Sequence, residues 1–172
     1  MDDDLKAIKQ TIPFGLPLHN ALMAEAATLR REFTEHVQHL LYEHAIEKGF
    51  LVGEDVLRIK LFWELVDDVK EAAKDLCRAG KFARSITKDA IDICLRNDGW
   101  VAKYKQYVKD DIFKHGNPLK GHINREIGAR VRQGIGGEVE LGADGKAINV
   151  KVVGSIIQSY TPMSDYDPKA VE

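Results

Sequence analysis

Residues 53–80 read GEDVLRIKLFWELVDDVKEAAKDLCRAG. Val56, Ile59, Trp63, Val66, Val69, Ala73 and Leu76 recur at steps of three and four, the spacing of one face of a 3.6-residue helix. Lys60, Glu64, Asp67, Asp68, Glu71 and Asp75 gather towards the other side. Glu54 and Asp55 suit the positive end of a helix, and Gly80 ends it. The stretch therefore predicts an amphipathic helix, and the chain on either side must cover its apolar face.

Upstream, Leu22, Ala26, Leu29, Phe33, Val37, Leu40 and His44 repeat in the same way, so one helix is expected over 18–48, closed by Gly49. A helix of about 30 residues would span about 45 Å at 1.5 Å per residue, which leaves room for a break. Two long helices with a short connection are expected to pack as an antiparallel hairpin over residues 18–80. Leu40, Leu41, Tyr42 and Ile46 on one helix, and Leu57, Leu61, Phe62 and Leu65 on the other, widen the apolar stripe beyond what a hairpin buries. Either the later helices or a second copy must cover the excess, and a homodimer is the expectation. Ahead of the hairpin, residues 1–17 read as a short amphipathic start at Leu5 and Ile8, then an irregular entry at Pro13-Phe14-Gly15-Leu16-Pro17.

Downstream, three shorter helices are expected. The first is capped by Ser85 or Thr87 and runs to Leu95, ending in Asn97-Asp98-Gly99. The second runs from Trp100 to about Phe113, and the third starts at Pro118 and carries Leu119, Ile123, Ile127 and Val131. The pattern then changes to period two. Val139 and Leu141, then Ile148, Val150 and Val152, flank Gly142-Ala143-Asp144-Gly145, which signals a hairpin. A third strand is expected at 155–160, and the tail over 161–172 has little to bury and is expected to be loose. The fold class that follows is mainly α: a long antiparallel helical hairpin plus smaller helices, with a C-terminal antiparallel β-hairpin or three-stranded β element. Residues 81–160 form its basic helical section with the hairpin, in one domain with 18–80.

The 172 residues are 44% hydrophobic and 30% charged, the balance of a globular chain and not a disordered one. Cys77 and Cys94 form no CxxC pair and no disulfide framework, which points to a reducing, cytoplasmic setting. The Met-Asp-Asp-Asp opening with Pro13 and Pro17 does not fit a secretory signal, and no apolar run is long enough for a membrane span. A net charge of −2 hides a polarity along the chain. Residues 1–77 carry 9 Lys/Arg against 15 Asp/Glu, residues 78–134 carry 13 against 6, and residues 135–172 carry 3 against 6. A middle segment at +7 implies either a polyanionic partner or internal pairing with the acidic first third.

The helix from Pro118 is the most suggestive element. With its four aliphatic residues inward, His122, Arg125, Arg132 and Gln133 fall opposite, and Lys120 and Arg130 flank the stripe. A cationic helix followed by a hairpin is the order of parts in a winged helix, although Glu138, Glu140 and Asp144 make this hairpin acidic. Lys103, Lys105 and Lys109 interleave with Trp100, Tyr104 and Tyr107, residues that either stack on bases or anchor the core. The expected nucleic-acid contacts are Lys103, Lys120, His122, Arg125, Arg130 and Arg132. Asn117-Pro118-Leu119-Lys120-Gly121 places amides and a lysine at a helix start, where one phosphate fits, without P-loop spacing.

Glu32, His36, His39 and Glu43 share one side of the upstream helix, but the facing helix carries no histidine, so a solvated charged face accounts for them better than a metal centre. Arg31-Glu-Phe-Thr-Glu-His36 resembles the Arg-x4–6-His pattern of HEPN-type ribonucleases, with Glu32 where that family often has a polar amide. The resemblance implies a small helical bundle acting as a dimer, in which Arg31 and His36 would activate a ribose 2′-hydroxyl and stabilise phosphate charge. The leading expectation is a non-enzymatic nucleic-acid-binding or regulatory protein using residues 84–134, with no cofactor and no metal. The alternatives are a protein–protein interaction module dimerising through the long helices, and a metal-independent HEPN-like ribonuclease.

Overall fold

The computed structural model describes residues 10–29 and 31–172, so the start expected at Leu5 and Ile8 lies outside the described residues. The chain is mainly helical, with seven helices among the described residues and small antiparallel β elements towards its C-terminal end. It divides into two compact units, one ending at Leu57 and one starting at Arg58.

In the first unit, α1 (Leu16–Thr28) and α2 (Phe33–Glu47) fold back on each other. The single helix expected over 18–48 is therefore two helices. Neither Pro nor Gly lies at the break. The Arg31 amide closes α1 on the Ala26 carbonyl at 2.8 Å, and Glu32 is extended at ψ 147° before α2 begins. Folding back sets the Phe33 ring edge-on to Phe14, with centroids 5.8 Å apart, and 5.0 Å from His19. Tertiary contact thus overrides a pattern that reads through the break.

The second unit takes α3 (Glu54–Arg78) from Arg58 onward, with α4 (Ile86–Cys94), α5 (Asp98–Val108) and α6 (Pro118–Gly134). Its core is the predicted helical stripes brought together: Leu65, Val66, Val69 and Ala73 from α3, Ile86 and Ile91 from α4, Tyr104 from α5, and Ile123, Ile127 and Val131 from α6 are all buried. Asn97 serves as the N-cap of α5, its Oδ1 accepting from the Gly99 and Trp100 amides at 2.9 and 3.1 Å. Helix α5 stops at Val108, earlier than expected, where Lys109 turns left-handed at φ 54°. Cys77 and Cys94 are buried and unbridged, and burial pushes the Cys94 thiol up to about 12.

The β elements are β1 (Glu138–Val139), β2 (Val150–Lys151), β3 (Ser159–Tyr160) and β4 (Met163–Asp165), followed by α7 (Pro168–Val171). The expected turn at 142–145 is present, closed by the Gly142 amide on the Lys146 carbonyl at 2.7 Å and the Ile148 amide on the Glu140 carbonyl at 3.0 Å. Its arms do not continue as one three-stranded sheet. β1 pairs antiparallel with β4, and β2 pairs antiparallel with β3. The tail expected to be loose over 161–172 is packed instead. Met163 and Val171 are buried, the Tyr166 ring lies 5.0 Å from Phe82, and Arg78 Nε donates to the Val171 carbonyl at 2.6 Å. Gly136 makes room for this return. It sits at φ 58°, and a Cβ there would come within 2.7 Å of the Asp167 Cβ.

Candidate functional site

Five cations of the +7 segment pair with carboxylates of the same chain. Arg84 forms a two-pronged pair with Glu140, both bonds at 2.7 Å, so the acidic hairpin meets a cation of its own molecule. Lys88 pairs with Asp92, Lys114 with Asp110 at 2.9 Å, and Arg78 with Asp75. Lys103, an expected nucleic-acid contact, holds Glu64 at 2.7 Å, and that hydrogen bond raises its ammonium above the ordinary lysine range.

Three more of the expected contacts are engaged within the fold. His122 stacks on Phe62, with centroids 5.6 Å apart and planes 18° from parallel. The Arg130 guanidinium lies over the Trp63 ring, 5.5 Å from its centroid. Lys120 is only 4% exposed, and its Nζ donates to the Lys114 carbonyl at 3.0 Å. Burial holds the Lys120 ammonium below the ordinary lysine range, with Asp111 acting in the opposite sense. Because its proton is held more weakly folded than unfolded, the wild type should gain stability relative to Lys120→Met as pH rises towards about 10.5. Paired thermal melts at pH 7 and pH 10 measure this, and the same variant should keep the wild-type salt dependence of any nucleic-acid binding.

Arg125 and Arg132 differ from all of these. Both are exposed, and neither has a carboxylate partner among the described residues. Seven residues on one helix place them about 10.5 Å apart along the axis and about 20° apart around it. Gly121 and Gly128 fall on the same stripe, giving Gly121, Arg125, Gly128 and Arg132 at steps of four, three and four. At both glycines a Cβ would meet no atom within 4 Å, and at Gly128 this leaves the helix backbone open between the guanidiniums.

This stripe forms one wall of a cleft of about 670 Å³, a size within the usual range for ligand sites. Ala147, Asn149 and residues 156–161 also line it, and Ile91, Ile156, Ile157 and Met163, all buried, lie behind its surface. His115, Asn149, Gln158 and Ser159 add polar groups, with Gln158 Nε2 2.9 Å from His115 Nδ1. Among the described residues no Asp or Glu lines the cleft, while Lys120, Arg125 and Arg132 do. In a chain of net charge −2, a cleft with cations and no carboxylate favours an anionic ligand. Asn117, at the helix start expected to seat a phosphate, spends its side chain on the fold: Oδ1 accepts from the Lys120 amide at 3.1 Å and Nδ2 donates to the Val108 carbonyl at 2.9 Å.

The aromatic row of α5 supplies core, not a stacking platform. Trp100, Tyr104 and Tyr107 are buried, and Trp100 stacks on Tyr104 at 5.1 Å. The Arg31–His36 pair is not assembled on a helix face as the resemblance requires. Arg31 lies in the break before α2, and His36 is 1% exposed, with Nε2 3.2 Å from Glu25 Oε2 and Nδ1 lacking a hydrogen-bond partner among the described residues. A ring so enclosed offers no nitrogen to a ribose hydroxyl. Among the described residues no group of three or more His, Cys, Asp or Glu is placed to hold a metal ion, and no helix is long and apolar enough to cross a membrane. Set against family models, curated proteins and solved structures, the chain matches none of them.

Proposed function

We propose that this protein binds nucleic acid through the α6 cleft, with Arg125 and Arg132 taking phosphates. The observation that carries this reading is the exposed pair of guanidiniums, unpaired by any described carboxylate, on a cleft that no acidic residue lines among those described. Arginine suits the task because its planar fork stays charged and meets phosphate oxygens in pairs. The test is a filter-binding titration of the wild-type chain at 50 and 200 mM salt. Affinity should fall steeply between the two, as phosphate neutralisation releases counterions. No retention at the lower salt rejects the reading.

Self-association is a second reading, and a separate observation favours it. Of the fourteen large hydrophobic side chains exposed among the described residues, ten lie between Ile12 and Leu57, including Leu16, Leu41, Phe50 and Val52. Apolar exposure concentrated in this way is a common mark of an interaction surface. Sedimentation over a range of concentrations reads it directly.

A further inference from the structure

We propose that His115 is a third phosphate-binding group of the α6 cleft, held in place by Gln158, and that it takes its phosphate in the protonated form, so that the site binds more tightly in mild acid. The inference rests on the nucleic-acid reading and adds to it one residue and a dependence on pH.

The position of the ring is the first observation. His115 lies just ahead of α6, where Gly116, left-handed at φ 81°, turns the chain before the N-cap Asn117. The His115 side chain is exposed and lines the same cleft as Arg125 and Arg132. His122, by contrast, stacks on Phe62 and does not line the cleft.

The partner of the ring is the second. Gln158 Nε2 lies 2.9 Å from His115 Nδ1. An amide nitrogen only donates, so Nδ1 accepts, and the neutral ring carries its proton on Nε2. A second proton turns Nδ1 into a donor, and half a turn of the Gln158 amide then offers it Oε1. One uncharged side chain therefore holds the ring in either state. A carboxylate in that place would cancel the charge that the ring gains.

The surrounding charges are the third. The loop of His115 carries Asp110, Asp111 and Lys114, α6 brings Lys120 and Arg125, and the stretch around Gln158 brings Tyr160. Asp110 is bonded to Lys114 at 2.9 Å. Asp111 Oδ1 accepts from the Phe113 amide at 2.8 Å, and its charge acts on the Lys120 ammonium. Neither aspartate lines the cleft, so a positive charge on His115 is left for a bound anion.

The experiment is filter binding of the full chain to a short labelled RNA strand and a short labelled DNA duplex, at two salt concentrations. It is run at about pH 5.5 and about pH 8, between which histidine changes charge and phosphodiesters do not. For whichever probe binds, wild-type affinity should be at least threefold higher in acid. The salt dependence should steepen by about 0.7–0.9 there, the counterions released by one added phosphate contact. His115→Gln should bind at both pH values as the wild type does at the higher one. His115→Arg, charged throughout, should bind at both as the wild type does in acid, and it carries the test should the first variant fold poorly. Equal wild-type affinity and slope at the two pH values overturn this inference and leave the nucleic-acid reading standing. A gain in acid that persists in either folded variant does the same. No binding of either probe at either pH overturns both.

Discussion

Reversing both guanidiniums, Arg125→Glu with Arg132→Glu, should remove most nucleic-acid affinity while the protein stays folded. Both side chains are exposed, and the inward row of Ile123, Ile127 and Val131 is untouched, so the melting midpoint should move little. Binding should weaken by well over tenfold at low salt, because two attractive contacts become two repulsive ones in a cleft with no other exposed cation on α6. The dependence of log affinity on log salt should flatten by about 1.4–1.8, at about 0.7–0.9 released counterions per phosphate contact. Reversing Lys103 is the control. It is tied to Glu64 at 2.7 Å, away from the cleft lining, and its loss should leave the salt slope as it was. A folded double variant with wild-type affinity and slope would reduce Arg125 and Arg132 to solvated surface.

The core of the second unit was legible because its helices carry their inward residues in phase. The α3 stripe and the α6 row were both readable at three- and four-residue steps, and Val66, Val69, Ile123, Ile127 and Val131 are buried as that spacing requires. The break before Phe33 was not legible, since no breaker marks it and the Phe14 ring contact that accompanies it exists only in the folded chain. The packed tail escaped for a similar reason. Met163, Tyr166 and Val171 are isolated apolar residues in a polar stretch, and they gain partners from Phe82, Arg78 and β1, all distant in sequence. For the site, the spacing placed six basic residues on α5 and α6 but could not tell which had partners. Glu64, Phe62 and Trp63 on α3 claim Lys103, His122 and Arg130. The signal that was present and went unread is the alternation of Gly121, Arg125, Gly128 and Arg132 on one helix stripe, where helix-weakening residues separate cations.

Asn124→Ala should be the most damaging single polar substitution near the cleft, because Asn124 ties α6 both to α5 and to the stretch between β2 and β3. Its Oδ1 accepts from the Tyr104 hydroxyl of α5 at 2.8 Å, and its Nδ2 donates to the Ile156 carbonyl at 3.2 Å. Tyr104 is fully buried, and burial raises its phenol above the ordinary range, so it stays a neutral donor at any working pH. Truncation strands a buried donor and a buried acceptor at once. At about 1–3 kcal/mol for each stranded group, the loss should be about 2–6 kcal/mol, which lowers the melting midpoint by about 4–24 °C in a chain of this size. Tyr104→Phe should cost less, since it removes the donor and leaves only Asn124 Oδ1 to be met. The double variant should fall short of the sum, because both substitutions break the same hydrogen bond. The link also bears on ligand binding. Ile156 lies in the stretch that lines the cleft with the arginine stripe, so losing its tether to α6 loosens the cleft without altering any charge. Nucleic-acid affinity of Asn124→Ala, measured well below its melting midpoint, should therefore drop with the salt slope unchanged, whereas reversing the arginines changes both. An additive double variant would mean that Tyr104 and Asn124 act independently, and a wild-type affinity would mean that the Ile156 wall takes no part in binding.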